Sequence, residues 1–493
     1  MRASASRSPP VTLLLALLAA CGATDTEPEP AGDGAPVRHA LADADAALLG
    51  APSTAAGSAV AGPGDLDGDG HDDVVVGAFY GGLACAWFGP VAAGEHLLSE
   101  GACVTVEPGP EHPYDFLGYA VGGAGDVDGD GLPELLVSAM GNDEGGGEAG
   151  KVYLFLDALP PGETPADDAP VAFIGETPGD QAGVSVGAAG NAGGEAGCVL
   201  VGAPGNDAGG GGAGRVYLLT APFVPGVASL RDAYATFTGA GAPSSALLHG
   251  ESTGGDALGD ALVGGMDLDG DGVDDLALGA GGADDGGEDA GTVWIARGPI
   301  AAGDHAAVDV DARRFGPGPG AYAGGAVASA GDLDGDGLAD LLVAADGTDE
   351  GRVYVLLGPI ADGDGALDDR SPVLVGDADG DLAGWSVAGA GDIDGDGRPE
   401  VIVGVPGSDA GGLDGGGVYL VPDAATPGVR TLGEAGIAFP AEAANDAAGR
   451  AVAGAGDVDG DGAADVLAGA QYNQDGGVFA GKAYLLLGAG ISW

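Results

Sequence analysis

The chain has 493 residues, with 76 acidic side chains against 15 basic ones and a formal net charge of −61. A surface of that sign repels nucleic acid and anionic lipid, so neither is an expected partner. Glycine supplies 103 residues and aromatics only 5%, yet 45% of the chain is apolar, which argues for a folded β protein rather than a low-complexity one.

Residues 1–20 place Arg2 and Arg7 ahead of the apolar run Val11 to Ala20, which is too short to span a bilayer and reads as an export signal. The run closes on Leu18-Ala19-Ala20-Cys21, the pattern of a bacterial lipoprotein signal with Cys21 as the lipidation site. An ordinary signal peptide with an incidental cysteine is the alternative. Residues 21–42, rich in Pro, Glu and Gly, read as a flexible tether. The expected location is the bacterial cell envelope, reached through a lipid anchor, with plain secretion as the alternative.

Residues 43–493 are a repeat. Six times they carry Asp-x-Asp-Gly-Asp-Gly-x-x-Asp/Glu followed at once by a short apolar strand. Carboxylates at positions 1, 3, 5 and 9 and a main-chain carbonyl at position 7 describe a loop folded around one hard cation. Calcium, with its many oxygen ligands and flexible geometry, fits better than the stricter magnesium. The expected ligands are Asp65, Asp67, Asp69, His71 and Asp73; Asp126, Asp128, Asp130, Leu132 and Glu134; and Asp267, Asp269, Asp271, Val273 and Asp275. The same positions recur as Asp332, Asp334, Asp336, Leu338 and Asp340; Asp392, Asp394, Asp396, Arg398 and Glu400; and Asp457, Asp459, Asp461, Ala463 and Asp465. About six Ca2+ ions are expected, and six would leave a charge of −49. At position 7 the carbonyl is the ligand, so the His71 side chain is expected to be free. Position 12, where an EF-hand needs glutamate, is apolar (Val76, Val137, Leu278), so a structural role is expected rather than a helix-opening switch.

The loops start 60 to 65 residues apart except for the gap of 141 between Asp126 and Asp267. A degenerate copy fills that gap: Gly190-Asn191-Ala192-Gly193-Gly194-Glu195 stands where a loop belongs, ahead of the strand Val199 to Ala203. There are thus seven repeats. Each reads as four short strands, in the sixth copy Val373–Val375, Trp385–Ala388, Val401–Val403 and Val418–Val421. Seven units of four strands predict an all-β, seven-bladed propeller, with an open β-solenoid as the rival. The strand pattern at Ala46 to Leu49 precedes any complete blade, and the last repeat lacks an outer strand after Ala483 to Leu487. The N-terminal strand can therefore close the ring and remove both open edges.

These residues resemble the FG-GAP repeat family, best known from the propellers of integrin α chains. The motif is fullest at Phe116 to Asp126, with Val201-Gly202-Ala203-Pro204 supplying the Gly-Ala-Pro part. The resemblance spans roughly residues 43 to 493, although most copies lack the phenylalanine. It implies metal loops on one face and a binding surface on the other. That second face would be built by turns such as Asn142-Asp143-Glu144, Asn206-Asp207, Asp284-Asp285, Asp349-Glu350, Ser408-Asp409 and Asn473-Gln474-Asp475, which read equally well as solvated Asx turns.

Cys85 and Cys103 fall on consecutive strands of the first blade and are an expected disulfide, with two buried thiols as the alternative; Cys198 reads as a core thiol. Gly183-Val184-Ser185-Val186-Gly187 matches a nucleophile elbow, but it aligns with Gly118 to Gly122, so Ser185 holds an ordinary strand position. No catalytic cluster of His, Arg or Tyr is evident, and no enzymatic activity is expected. The expected function is a monomeric, surface-tethered binding or adhesion module for an unidentified protein or glycan. A lectin is the alternative, and a propeller-fold envelope hydrolase or lyase a more distant one.

Overall fold

The computed structural model describes residues 39–106, 115–194, 197–240 and 255–491, together with the backbone of 247–248 and 251–252. The export signal, Cys21 and the tether up to residue 38 lie outside these residues. Small and β-branched residues between glycine-rich turns form blade strands of three to nine residues. Blade 1 runs from the inside outward as Ala59–Gly64, Asp73–Ala78, Leu83–Trp87 and Ala102–Thr105, all antiparallel. Blades 2 to 6 repeat this meander from inner strands starting at Leu117, Ser185, Leu262, Val327 and Val387. Blade 7 combines Ala451–Gly456, Asp465–Ala470 and Lys482–Leu486 with the strand Ala46–Leu49, whose Leu48 lies opposite Ala483. Inner strands pack each on the next, and that of blade 7 packs on that of blade 1. The described residues form the seven-bladed, all-β propeller that the repeat predicts, closed by the strand Ala46–Leu49.

Six blades add a fifth strand, parallel to the fourth and drawn from the following repeat; Gly162–Pro165 beside Ala102–Thr105 is one example. These strands are largely exposed and polar, so no apolar periodicity announces them. In the sixth repeat the strand expected from Trp385 starts at Val387. Leu382 at φ 56° and Gly384 at φ 92° form a turn there, and Ser386 Oγ donates to the Gly449 carbonyl at 2.8 Å. Ser185 makes the same kind of link, donating to the Gly259 carbonyl at 2.7 Å, which gives it a structural task.

The core is seven wedges between adjoining blades. Leu48, Val74, Val76, Leu467 and Leu485, for example, fill the wedge between blades 7 and 1. The second strand of every blade is buried on both faces, which is why it reads as a continuous apolar run instead of alternating. Near the axis the chains crowd: a Cβ added to Gly454 would sit 2.6 Å from the Gly389 carbonyl oxygen, so only glycine fits. Each repeat also places a non-glycine residue in the left-handed region at the same point just before its inner strand: Ala55, Phe116, Gln181, Ala257, Tyr322, Leu382 and Ala447. Phe116 is the phenylalanine of the motif, so what the repeats share at this place is a backbone conformation rather than a side chain.

Candidate metal centre

Antiparallel pairing puts the six acidic loops, each joining a first strand to a second, at one end of the ring. The motif's residues build the loop before any ion is considered. In the first copy Asp65 accepts hydrogen bonds from the Gly68 and Gly70 amides at 2.7 and 2.9 Å, and both glycines are left-handed. Asp67 accepts from the Asp69 amide at 3.1 Å and Asp69 from the His71 amide at 3.0 Å. Position 9 is buried: Asp73 accepts from the Leu66 amide at 2.7 Å and the Gly89 amide at 2.9 Å. The other five loops repeat the bonds to positions 1, 3, 5 and 9.

The geometry leaves oxygens that face one another. Asp126, Asp128, Asp130 and Glu134 each offer a carboxylate oxygen, and these lie within 4.8 Å of one another. The same spacing joins Asp65, Asp67 and Asp73; Asp267, Asp269 and Asp271; Asp332, Asp334 and Asp336; and Asp392, Asp394 and Glu400. In the Asp126 loop Glu134 Oε2 accepts from the Val127 amide at 2.6 Å, whereas its buried Oε1 has no hydrogen-bond partner. A buried carboxylate oxygen without a donor, beside three further carboxylates, suits a hard cation. Burial, with neighbouring loop aspartates adding to it and backbone N–H bonds opposing it, pushes Asp73, Asp275, Asp340 and Asp465 up to about 6 and Glu134 and Glu400 up to about 7.

The loops also touch one another. The position 8 amides of Asp72, Ala339 and Ala464 donate to the carbonyls of Asp457, Asp267 and Asp392 in the preceding acidic loops, at 3.0 to 3.1 Å. Side chains at position 7 lie over the preceding loop: Leu132 over Gly68, Leu338 over Gly270 and His71 over Gly460. The His71 side chain is therefore packed, contrary to the expectation that it is free. In the degenerate copy the loop is one residue shorter, and buried Cys198 stands in register with the position 9 acids.

At the opposite end, the acidic turns mostly hold themselves together. Asp143, Asp207, Asp284 and Asp409 each accept an amide five residues on, at 2.8 to 2.9 Å. Asn142 and Asn473 are buried and donate to Asp115 and Asp446 at 3.0 Å. Between these turns lies a feature that sequence spacing does not reveal, one aromatic cluster across blades 6 and 7 and another across blades 1 and 2, with Tyr80 near enough to Tyr472 and Arg450 for their charges to act on it. The Arg450 guanidinium lies 4.6 Å from the Trp385 ring and 5.8 Å from Tyr472; Tyr472 meets Phe479, and Phe79 meets Tyr80, Phe116 and Tyr119 at 4.2 to 5.9 Å. Tyr80 is 53% exposed and Phe479 38%. Also unannounced is a basic residue opening the third strand of several blades. Lys482, almost fully buried, meets Glu442 and Asp475 at 2.9 Å and Glu95 at 3.2 Å. Cys85 and Cys103 lie in register on neighbouring strands and are disulfide-bonded.

An FG-GAP-like repeat matches residues 332–403, and FG-GAP repeats match 117–155 and 258–295. Three stretches of the propeller therefore carry FG-GAP repeats. Integrin alpha-IIb from Mus musculus and from Homo sapiens is 36% identical over 92 residues, a stretch that covers 17% of this chain and 8% of each integrin chain. Among solved structures, BBS1N in complex with ARL6DN aligns with a TM-score of 0.43 and 12% identity, over 86% of this chain and 90% of that one. Among the described residues no helix is long and apolar enough to cross a membrane.

Proposed function

We propose that the chain is an exported, lipid-anchored FG-GAP propeller that binds Ca2+ in its acidic loops and serves as a monomeric binding or adhesion module of the cell envelope. The carboxylates at positions 1, 3, 5 and 9 and the carbonyl at position 7 would hold the ion. The bound ion supplies the positive charge that these crowded acids lack. The partner, a protein or a glycan, is taken at the opposite end. The observation that carries this reading is the pair of aromatic clusters, Trp385 to Phe479 across blades 6 and 7 and Phe79 to Tyr119 across blades 1 and 2, at the end away from the loops. Aromatic rings of that kind favour protein contacts, and their faces also stack on sugars.

The test is binding of the labelled protein to intact cells and to a glycan array, with Tyr80→Ser and Phe479→Ser compared with wild type at equal thermal stability. Loss of binding in the variants supports the reading, and retention on the array alone assigns the ligand as a glycan. Undiminished binding by both variants would move the partner site elsewhere. Anchoring is checked separately: Cys21→Ser should shift the protein from the membrane fraction to the soluble one.

A further inference from the structure

The six acidic loops are alike in sequence but differ in what surrounds them. Asp269, at position 3 of the Asp267 loop, faces Arg297, whose Nε lies 3.3 Å from Oδ2. Both side chains are about one-fifth exposed, at 19% and 22%. Among the described residues no basic side chain lies within ion-pair distance of the other position 3 aspartates, Asp67, Asp128, Asp334, Asp394 and Asp459. Arg297 is fixed from behind by the Asp362 carboxylate and the Ile360 carbonyl. Its place, one residue beyond the third strand, is taken by Phe88, Leu156, Leu357 and Leu487 in four other blades, where the side chain packs against a core wedge. The preceding loop, in blade 3, has Asn191 in place of the first aspartate. Asn191 joins the Asp267 loop by a reciprocal pair: its amide donates to Asp274 Oδ2 at 2.8 Å, and the Asp274 amide donates to its Oδ1.

We propose that blades 3 and 4 form a calcium-independent sector of the ring, in which Arg297 acts as the built-in cation of the Asp267 loop and Asn191 replaces the ion-bearing loop beside it. The inference rests on the calcium reading of the other five loops. An ion held by Asp269 would share that carboxylate with the Arg297 guanidinium, and repulsion between a divalent ion and a guanidinium about 5 Å apart weakens binding by roughly tenfold even at the dielectric of water. It would also compete with an ion pair that is already formed.

The test is a Ca2+ titration of the ring, with bound ions counted, alongside hydrogen exchange of each loop with and without chelator. Five ions should enter in a tight phase and a sixth at concentrations roughly tenfold or more higher. Chelation should raise exchange in the loops starting at Asp65, Asp126, Asp332, Asp392 and Asp457 and leave 190–197 and 267–275 unchanged. Arg297→Met keeps the side chain's length without its charge, and should bring the sixth ion into the tight phase. Six equal ions in the wild type, or chelator-sensitive exchange at 267–275, would overturn the proposal while leaving the calcium reading intact. Uptake of no ion by any loop would overturn both. The exchange measurement needs no variant, so poor folding of Arg297→Met does not spoil the test.

Discussion

Leu48→Ala probes the closure of the ring. Leu48 lies on the strand that completes blade 7, 1% exposed, in the wedge with Val74, Val76, Leu467 and Leu485. The substitution removes three carbons, worth about 2.4 kcal/mol at ~0.8 kcal/mol each. Two sheets packed face to face cannot fully collapse onto the gap, and the cavity brings the cost to about 3–4 kcal/mol. Leu97 is the control: it sits on the adjoining fifth strand, 54% exposed, and Leu97→Ala should cost no more than about 0.5 kcal/mol. The assay is urea denaturation at fixed calcium, reading the midpoint and the slope. A lower midpoint with the same slope is expected for Leu48→Ala. A cost below about 0.5 kcal/mol would mean that the strand is not seated in the wedge, and the closed ring would be wrong.

The buried position 9 acids set a pH dependence. Their folded pKa values of about 6 to 7 exceed the ordinary 3.8 and 4.5, so the native ring holds more protons than the unfolded chain between about pH 4 and 7. In chelator the melting temperature should therefore fall as pH rises through that window, and stabilisation by Ca2+ should grow through it; a chelated ring that gains stability toward pH 7 would contradict the burial of these groups. Burial lowers the Lys482 pKa, but hydrogen bonds to Asp475 and Glu442 outweigh it and hold the amine charged. Lys482→Met strands those carboxylates and should cost about 3 kcal/mol by urea denaturation, and a neutral result would show the cluster to be dispensable. Reducing Cys85–Cys103, 18 residues apart, should lower stability by about 3 kcal/mol, with Cys85→Ser plus Cys103→Ser behaving like the reduced protein in a thermal melt.

The propeller was legible because its signals are local and repeated. Asp and Gly at fixed offsets mark the loops, and the apolar runs that follow, such as Asp73–Ala78 and Glu134–Ala139, are buried on both faces and need no period to be seen. The closing strand was legible because Ala46–Leu49 matches the pattern of the other outer strands. The fifth strands were not, because Gly94–Leu97 and its equivalents are exposed and polar and gain order only from the neighbour they pair with. The Arg297 contact with Asp269 and the meeting of Arg450 with Trp385 join residues 28 and 65 positions apart across the fold. Aligning the seven repeats would have flagged Arg297 as a charge among Phe88, Leu156, Leu357 and Leu487. No such alignment marks the two aromatic clusters, whose members occupy unlike positions in their blades.

The central claim is that calcium in the acidic loops holds the ring together, and thermal melting in 1 mM Ca2+ against excess chelator, with bound ions counted, tests it most directly. With a Kd of about 0.1 mM each loop contributes about 1.4 kcal/mol at about 1 mM Ca2+, or about 7 kcal/mol for five loops. That is comparable with the whole stability of a typical domain, about 5–15 kcal/mol. The account predicts five tight ions and a melting temperature higher by on the order of 10 °C in calcium. A melting temperature that does not move with chelator, or fewer than two bound ions, would contradict it.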